Sequence, residues 1–231
     1  MINISRTAKF QIICSLLLTF SSVIILYSQT KDSSLVQPVE DSIKILPLPV
    51  LDKTNEISFK YSDSSMGMKI LRGAGLSTGY ALIMGTTLVL LPEDISKWEV
   101  TDKLKWSSMK RHFIEAYTLP PVIDHDFWYI NYIGHPYQGG FYFNNLRSQG
   151  AGFWTSSAYC LVQSVMWEYV AESIFERPSI QDLVTTPIGG VIVGELSHQA
   201  TLKMRKNGFN LFEKILVCII NPSYPINNGF K

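Results

Sequence analysis

An all-α fold follows from three observations. No segment sustains the period-two alternation of a half-buried strand. Small residues recur at helical spacing, at Gly67, Gly75 and Gly79 with Leu71 between them, and again at Thr186, Gly190, Gly194 and His198. Turn formers punctuate these runs at Pro92-Glu93-Asp94, Pro120-Pro121, Arg177-Pro178 and Asn221-Pro222. The expected architecture is a compact multi-helix bundle with glycine-rich, close-packed helices over 61–222. A signal peptide and a flexible linker precede it, and 223–231 form a turn-like tail.

Met1–Phe10 carries Arg6 and Lys9 and no acid, and Gln11–Tyr27 is apolar apart from scattered Ser and Thr. This is the pattern of a secretory signal over 1–28, with an uncleaved N-terminal anchor as the alternative. Residues 29–60 hold Pro38, Pro47 and Pro49 among Ser, Asp and Lys, a linker composition. Gly67–Leu91 is the first strong helix, uncharged from Gly73 onward. Glycine costs up to about 1 kcal/mol at each helical position, so its stripe predicts close approach to a neighbouring helix. Ile95–Leu119 interleaves Trp98, Trp106, Lys103, Lys105, Lys110 and Arg111 with apolar residues, as one or two amphipathic helices.

Asp124-His125-Asp126 reads as a turn or cap. After it come a short aromatic helix over 128–133, a turn bearing His135 between Gly134 and Pro136, and a helix through Arg147. Phe153–Glu176 is predicted as one long helix. Ser179 caps the next, which places Asp182 in its first turn and runs to about Lys206 through Pro187. A last apolar helix covers Phe209–Ile220. Cys160 and Cys218 sit in apolar helical runs and are expected to be unpaired, although an oxidising compartment permits a bridge.

Composition narrows the functional classes. The chain has 231 residues, only 17% of them charged, with 12% aromatic residues and a formal net charge of +1. Average proteins carry about a quarter charged residues, so this balance leans towards a membrane or its surface. No Lys/Arg run marks a nucleic-acid footprint, and nucleic-acid binding is excluded on that ground.

Ionisable residues concentrate in the least polar part of the chain, 126–195, where charge is costly unless paired or used. Ser157, Ser164, Glu168 and Glu172 share one face of the predicted long helix. Arg147, the only Arg or Lys between Arg111 and Arg177, calls for a carboxylate partner among Glu168, Glu172 and Asp182. The candidate acid–base set is His135, Glu168 and Glu172 with Arg147 as an anion clamp. Asp182, Glu195 and Asn131 are candidate binding residues. His135 with Glu168, Glu172 and Glu195 offers metal-ligand chemistry, but no HExxH or ExxH spacing accompanies it. No metal and no cofactor is therefore expected. No GxSxG elbow surrounds Ser156, Ser157 or Ser164.

The strings NYIGHPYQGGFYFNNLRSQG and WEYVAESIFERPSIQDLVTTPIGGVIVGE, with the trailing Asn221-Pro222, resemble a bacterial family known as domain of unknown function 3943. The resemblance covers roughly 95–222. It implies an envelope protein exported behind a signal peptide and supplies no catalytic residue or cofactor. The functional expectation is an envelope protein associated with a membrane, its His/Arg/carboxylate cluster mainly structural. The alternative is a hydrolase-like envelope enzyme acting on a lipid or cell-wall substrate through His135 and Glu168 or Glu172.

Overall fold

The computed structural model describes residues 58–96, 98 and 104–230. Nearly every described residue belongs to one compact unit, 59–64 with 68–231. The expected leader, Cys14 and most of the expected linker lie outside the described residues.

Eight α-helices make up the described fold: α1 (Met66–Leu90), α2 (Glu93–Ser96), α3 (Trp106–Thr118), α4 (His135–Arg147), α5 (Phe153–Met166), α6 (Ile180–Arg205), α7 (Leu211–Ile220) and α8 (Ser223–Asn228). Two π-helical turns, Ile130–Gly134 and Trp167–Ala171, lead into α4 and close α5. No strand occurs among the described residues; one parallel bridge joins Val122 to Ser179. The all-α expectation holds.

The centre is α4. His135 and every residue from Gln138 to Leu146 are buried, so this helix is enclosed on all sides. Its sequence, HPYQGGFYFNNLR, explains how: Gly139 and Gly140 admit α6, while Phe141, Tyr142 and Phe143 join Cys160 of α5 in the apolar core. Leu76, Tyr80, Phe153 and Val191 pack around that cluster. Helices α4 and α6 run in the same direction, pairing His135 with Thr186, Asn144 with Gly194 and Arg147 with Glu195 in sequence order.

Between those pairs the two backbones meet. A Cβ on Gly139 would stand 1.9 Å from the Thr186 carbonyl oxygen, and one on Gly190 would stand 2.4 Å from Gly139 Cα. Close packing along Thr186, Gly190, Gly194 and His198 is as predicted. The other stripe is not: a Cβ on Gly67, Gly75 or Gly79 would meet nothing within 4 Å. The buried face of α1 is instead Lys69, Gly73 and Ser77, with Gly73 against Leu146 and Tyr159.

Three local differences have physical reasons. His135 is helical, with φ −64° and ψ −43°, because the π-turn feeds straight into α4 and Pro136 sits in the first turn, where a missing N–H costs nothing. The predicted helix 153–176 ends as an α-helix at Met166 and passes into the π-turn, which shifts the facing of everything beyond it. Residues 223–228 are a helix rather than turns, held by buried Ser223, Tyr224 and Asn227.

The expected cap on α6 is present, and α7 has one that was not expected. Ser179 Oγ accepts the Asp182 N–H at the start of α6. Asn210 and Glu213 form a reciprocal capping box at α7. Gly150, at φ 81°, turns the chain out of α4. Cys160 is buried and Cys218 exposed, and both are free.

Candidate functional site

The predicted polar residues resolve into two clusters at opposite ends of the α4–α6 pair. Asp182 and Glu195 are thirteen residues apart on α6, about 20 Å along a helix.

The first cluster gathers at the start of both helices. His135 Nδ1 and Thr186 Oγ1 are 3.1 Å apart and hydrogen-bonded, which orients the ring so that Nε2 faces Asp182 Oδ1 at 3.4 Å. Glu168 enters from the π-turn and accepts the Ser179 N–H through Oε2 at 2.9 Å.

Ser179 organises the acids. Besides capping α6 and donating its N–H to Glu168, it donates its hydroxyl to Asp124 Oδ2. Asp124 is brought there by the Val122 bridge and held by Asn131 Nδ2 at 2.7 Å and its own N–H donating to Gln181 Oε1. Asn131 therefore positions Asp124 through Nδ2, while its own buried Oδ1 has no hydrogen-bond partner among the described residues.

The electrostatics are lopsided. Burial holds the Glu168 carboxyl well above the ordinary range, and neighbouring Asp182, Glu176 and Asp124 push the same way against the Ser179 N–H. Burial, then the Asp124 charge, raises Asp182 to about 7. Burial lowers His135 to about 4, opposed by Asp124. Asp124 departs in the other direction: burial raises it, but hydrogen bonds from Ser179, Asn131 and Asp126 outweigh that and hold it below its usual value. The α6 N-terminus supplies partial positive charge to this group.

Among the described residues, two buried carboxylate oxygens in the cluster lack hydrogen-bond partners, Glu168 Oε1 and Asp182 Oδ1. His135, Glu168 and Asp182 each offer one donor atom, and these lie within 4.8 Å of one another. Glu172 stands apart from this trio. It is half-buried, is hydrogen-bonded to Glu176, and is driven well above its ordinary range by burial and then by Glu176. Trp98 in turn donates to Glu176 at 3.0 Å.

The second cluster is an ion pair. Arg147 donates Nε and Nη2 to the two Glu195 oxygens at 2.9 and 3.2 Å, and Nη1 to the Ala151 carbonyl at 3.0 Å. The expected partners Glu168, Glu172 and Asp182 are at the other end of the helices, so Glu195 takes that role. Gln199 donates to Glu195 as well. Nearby, buried amides and hydroxyls interlock α4 with the rest: Asn145 with Ser77 and Ser223, Ser148 with Asn227, Asn144 with Ser197.

Sequence reasoning missed Asp124 and Glu176. Asp124 has the composition of an ordinary helix cap, and only the bridge at Val122 reveals it. Glu176 lies at the end of a predicted helix, where an exposed acid is unremarkable.

Residues 120–223 match the family model described as Domain of unknown function (DUF3943). That segment, a little under half of the chain, is similar to this family. The match begins later than the resemblance suggested, leaving α3 outside. The matched segment contains α4–α7, both π-turns and both clusters. No curated protein and no solved structure matches the chain.

Proposed function

We propose that the chain is a membrane-associated protein of the cell envelope, held by α1 and by apolar ridges on the matched segment, with a polar interior of mainly structural role. One observation carries this reading: the usual distribution of polarity is inverted. Helix α6 turns Thr186, Gly190, Gly194 and His198 inward, while Ile180, Val184, Ile188, Ile192 and Leu196, each four residues from the last, are exposed. Helix α7 exposes Leu211, Ile215 and Ile219 in the same way. Meanwhile Asn144, Asn145, Ser148, Gln149, His198 and Asn221 are almost fully buried. In water such an arrangement hides polar groups and wets aliphatic ones; in lipid both terms reverse.

Helix α1 supports the reading further. It is long and apolar enough to cross a bilayer, and little of it is buried, unlike the core helix of a water-soluble protein. The basic and then apolar start of the chain supports export. The test is to wash membranes from cells expressing the full chain with alkaline carbonate. Retention in the pellet with release by detergent is expected; release by carbonate alone overturns the proposal.

A second reading, a hydrolase-like envelope enzyme, is favoured by His135 lying 3.4 Å from Asp182 beside buried Glu168. In this version His135 and the two acids serve the reaction, while Arg147 and Glu195, at the far end, are structural. Turnover of phospholipid or peptidoglycan fragments by the purified chain, lost in His135→Gln with the fold intact, is its signature. Equal turnover by that variant sinks it.

A further inference from the structure

We propose that His135, Glu168 and Asp182 bind one divalent transition-metal ion, a role that goes beyond the membrane reading and does not depend on it. The geometry argues first. Two donors about 2.1 Å from a tetrahedral ion stand about 3.4 Å apart, and His135 Nε2 and Asp182 Oδ1 are 3.4 Å apart. All three donor atoms fall within 4.8 Å.

The unsatisfied atoms argue second. Glu168 is 2% exposed and Asp182 4%, yet Oε1 of one and Oδ1 of the other lack a hydrogen-bond partner among the described residues. A buried carboxylate oxygen left bare has lost its water without gaining a partner, which is destabilising. Glu168 Oε2 is already taken by the Ser179 N–H, which leaves Oε1 to face a ligand, and Asp182 Oδ1 is the oxygen 3.4 Å from His135 Nε2.

The surrounding residues argue third. Metal-bound imidazoles use their second nitrogen to bond a neighbour, which fixes the ring. Here Thr186 Oγ1 holds Nδ1, so Nε2 is the nitrogen presented to the acids. Asp124, hydrogen-bonded to Ser179 and Asn131, adds negative charge beside the site without being a free donor. One imidazole with two carboxylates suits zinc or manganese; magnesium and calcium favour all-oxygen shells. Three protein donors leave positions on the ion for water or a substrate.

The test uses the full chain purified in detergent and stripped with EDTA, titrated separately with Zn²⁺, Mn²⁺, Ca²⁺ and Mg²⁺. One Zn²⁺ or Mn²⁺ per chain is expected, with imidazole scattering in the X-ray absorption spectrum, a readout that needs no variant. Asp182→Asn and Glu168→Gln should weaken binding by at least about tenfold, and Thr186→Val by about 10–100-fold as a positioning residue. Glu195→Gln should bind as the parent does. Without metal, Asp182→Asn should melt no lower than the parent, since it removes a buried charge, and it should lose the rise in melting temperature that metal gives the parent. Failure to retain any ion, binding unchanged in Asp182→Asn and Glu168→Gln, or binding of Ca²⁺ or Mg²⁺ alone would each overturn the proposal.

Discussion

At the scale of single residues, the choice of partner is what sequence leaves open. That Arg147 would take a carboxylate was legible, because a guanidinium among aromatic and apolar neighbours has few alternatives. Which carboxylate was not. Glu195 wins because α4 and α6 run in the same direction, so late residues meet late residues, and Glu168 is drawn to the other end by Ser179. A double-mutant cycle reads this directly. Arg147→Met alone should cost about 1–3 kcal/mol, since it strips Glu195 of two hydrogen bonds in a half-buried setting. Adding Glu195→Gln should recover much of that loss, because two apolar or neutral groups then replace the pair. Combining Arg147→Met with Glu168→Gln should instead be additive within about 0.5 kcal/mol, as for distant sites. Chemical denaturation of the parent, the three single variants and the two doubles decides it: coupling to Glu168 rather than Glu195 would contradict the two-cluster arrangement.

At the scale of helices, two stripes of small residues look alike in sequence and behave oppositely in the fold. The stripe on α6 packs because α4 brings its own Gly139 and Gly140 to meet it, and Gly189, Gly190 and Gly194 all lie against α4 at this crossing. The stripe on α1 has no such counterpart, and α1 buries the adjacent line Lys69, Gly73 and Ser77 against Leu146 and Tyr159. Spacing alone cannot distinguish a stripe that faces a partner from one that does not. The π-turn at Trp167–Ala171 was equally hidden, since one extra residue in a helical turn leaves the 3.6-residue pattern intact on either side.

These differences set opposite signs for the same substitution. Gly190→Ala or Gly139→Ala should cost more than about 3 kcal/mol, as its methyl meets backbone that cannot give way. Gly75→Ala, with open space around it, should stabilise by up to about 1 kcal/mol through helix propensity. Thermal melts of the variants in one detergent compare them, and an equal penalty at all three sites would refute the assigned crossing.

At the scale of the whole molecule, the helical class and the concentration of polar chemistry in the middle of the chain were legible from periodicity and composition. The inversion of polarity was not, because α6 has apolar residues on one face and small or polar ones on the other whichever way it is turned. Only the coordinates show that Ile188 and Ile192 point away from the core, 60% and 58% exposed. The environment of that ridge is therefore open to a direct trial with Ile188→Asp and Ile192→Asp. If lipid covers it, each aspartate should cost up to about 2.5–3.5 kcal/mol at the bilayer centre. The variants should then partition less into membranes, or be cleared before they reach them. If water covers it, surface substitutions of this kind should stay within about 0.5 kcal/mol and improve solubility without detergent. The aspartates touch neither cluster, since Ile188 and Ile192 lie on the exposed face of α6. A loss of membrane retention with the metal stoichiometry unchanged would thus assign the ridge to lipid and leave the His135 site to be judged by its own experiment.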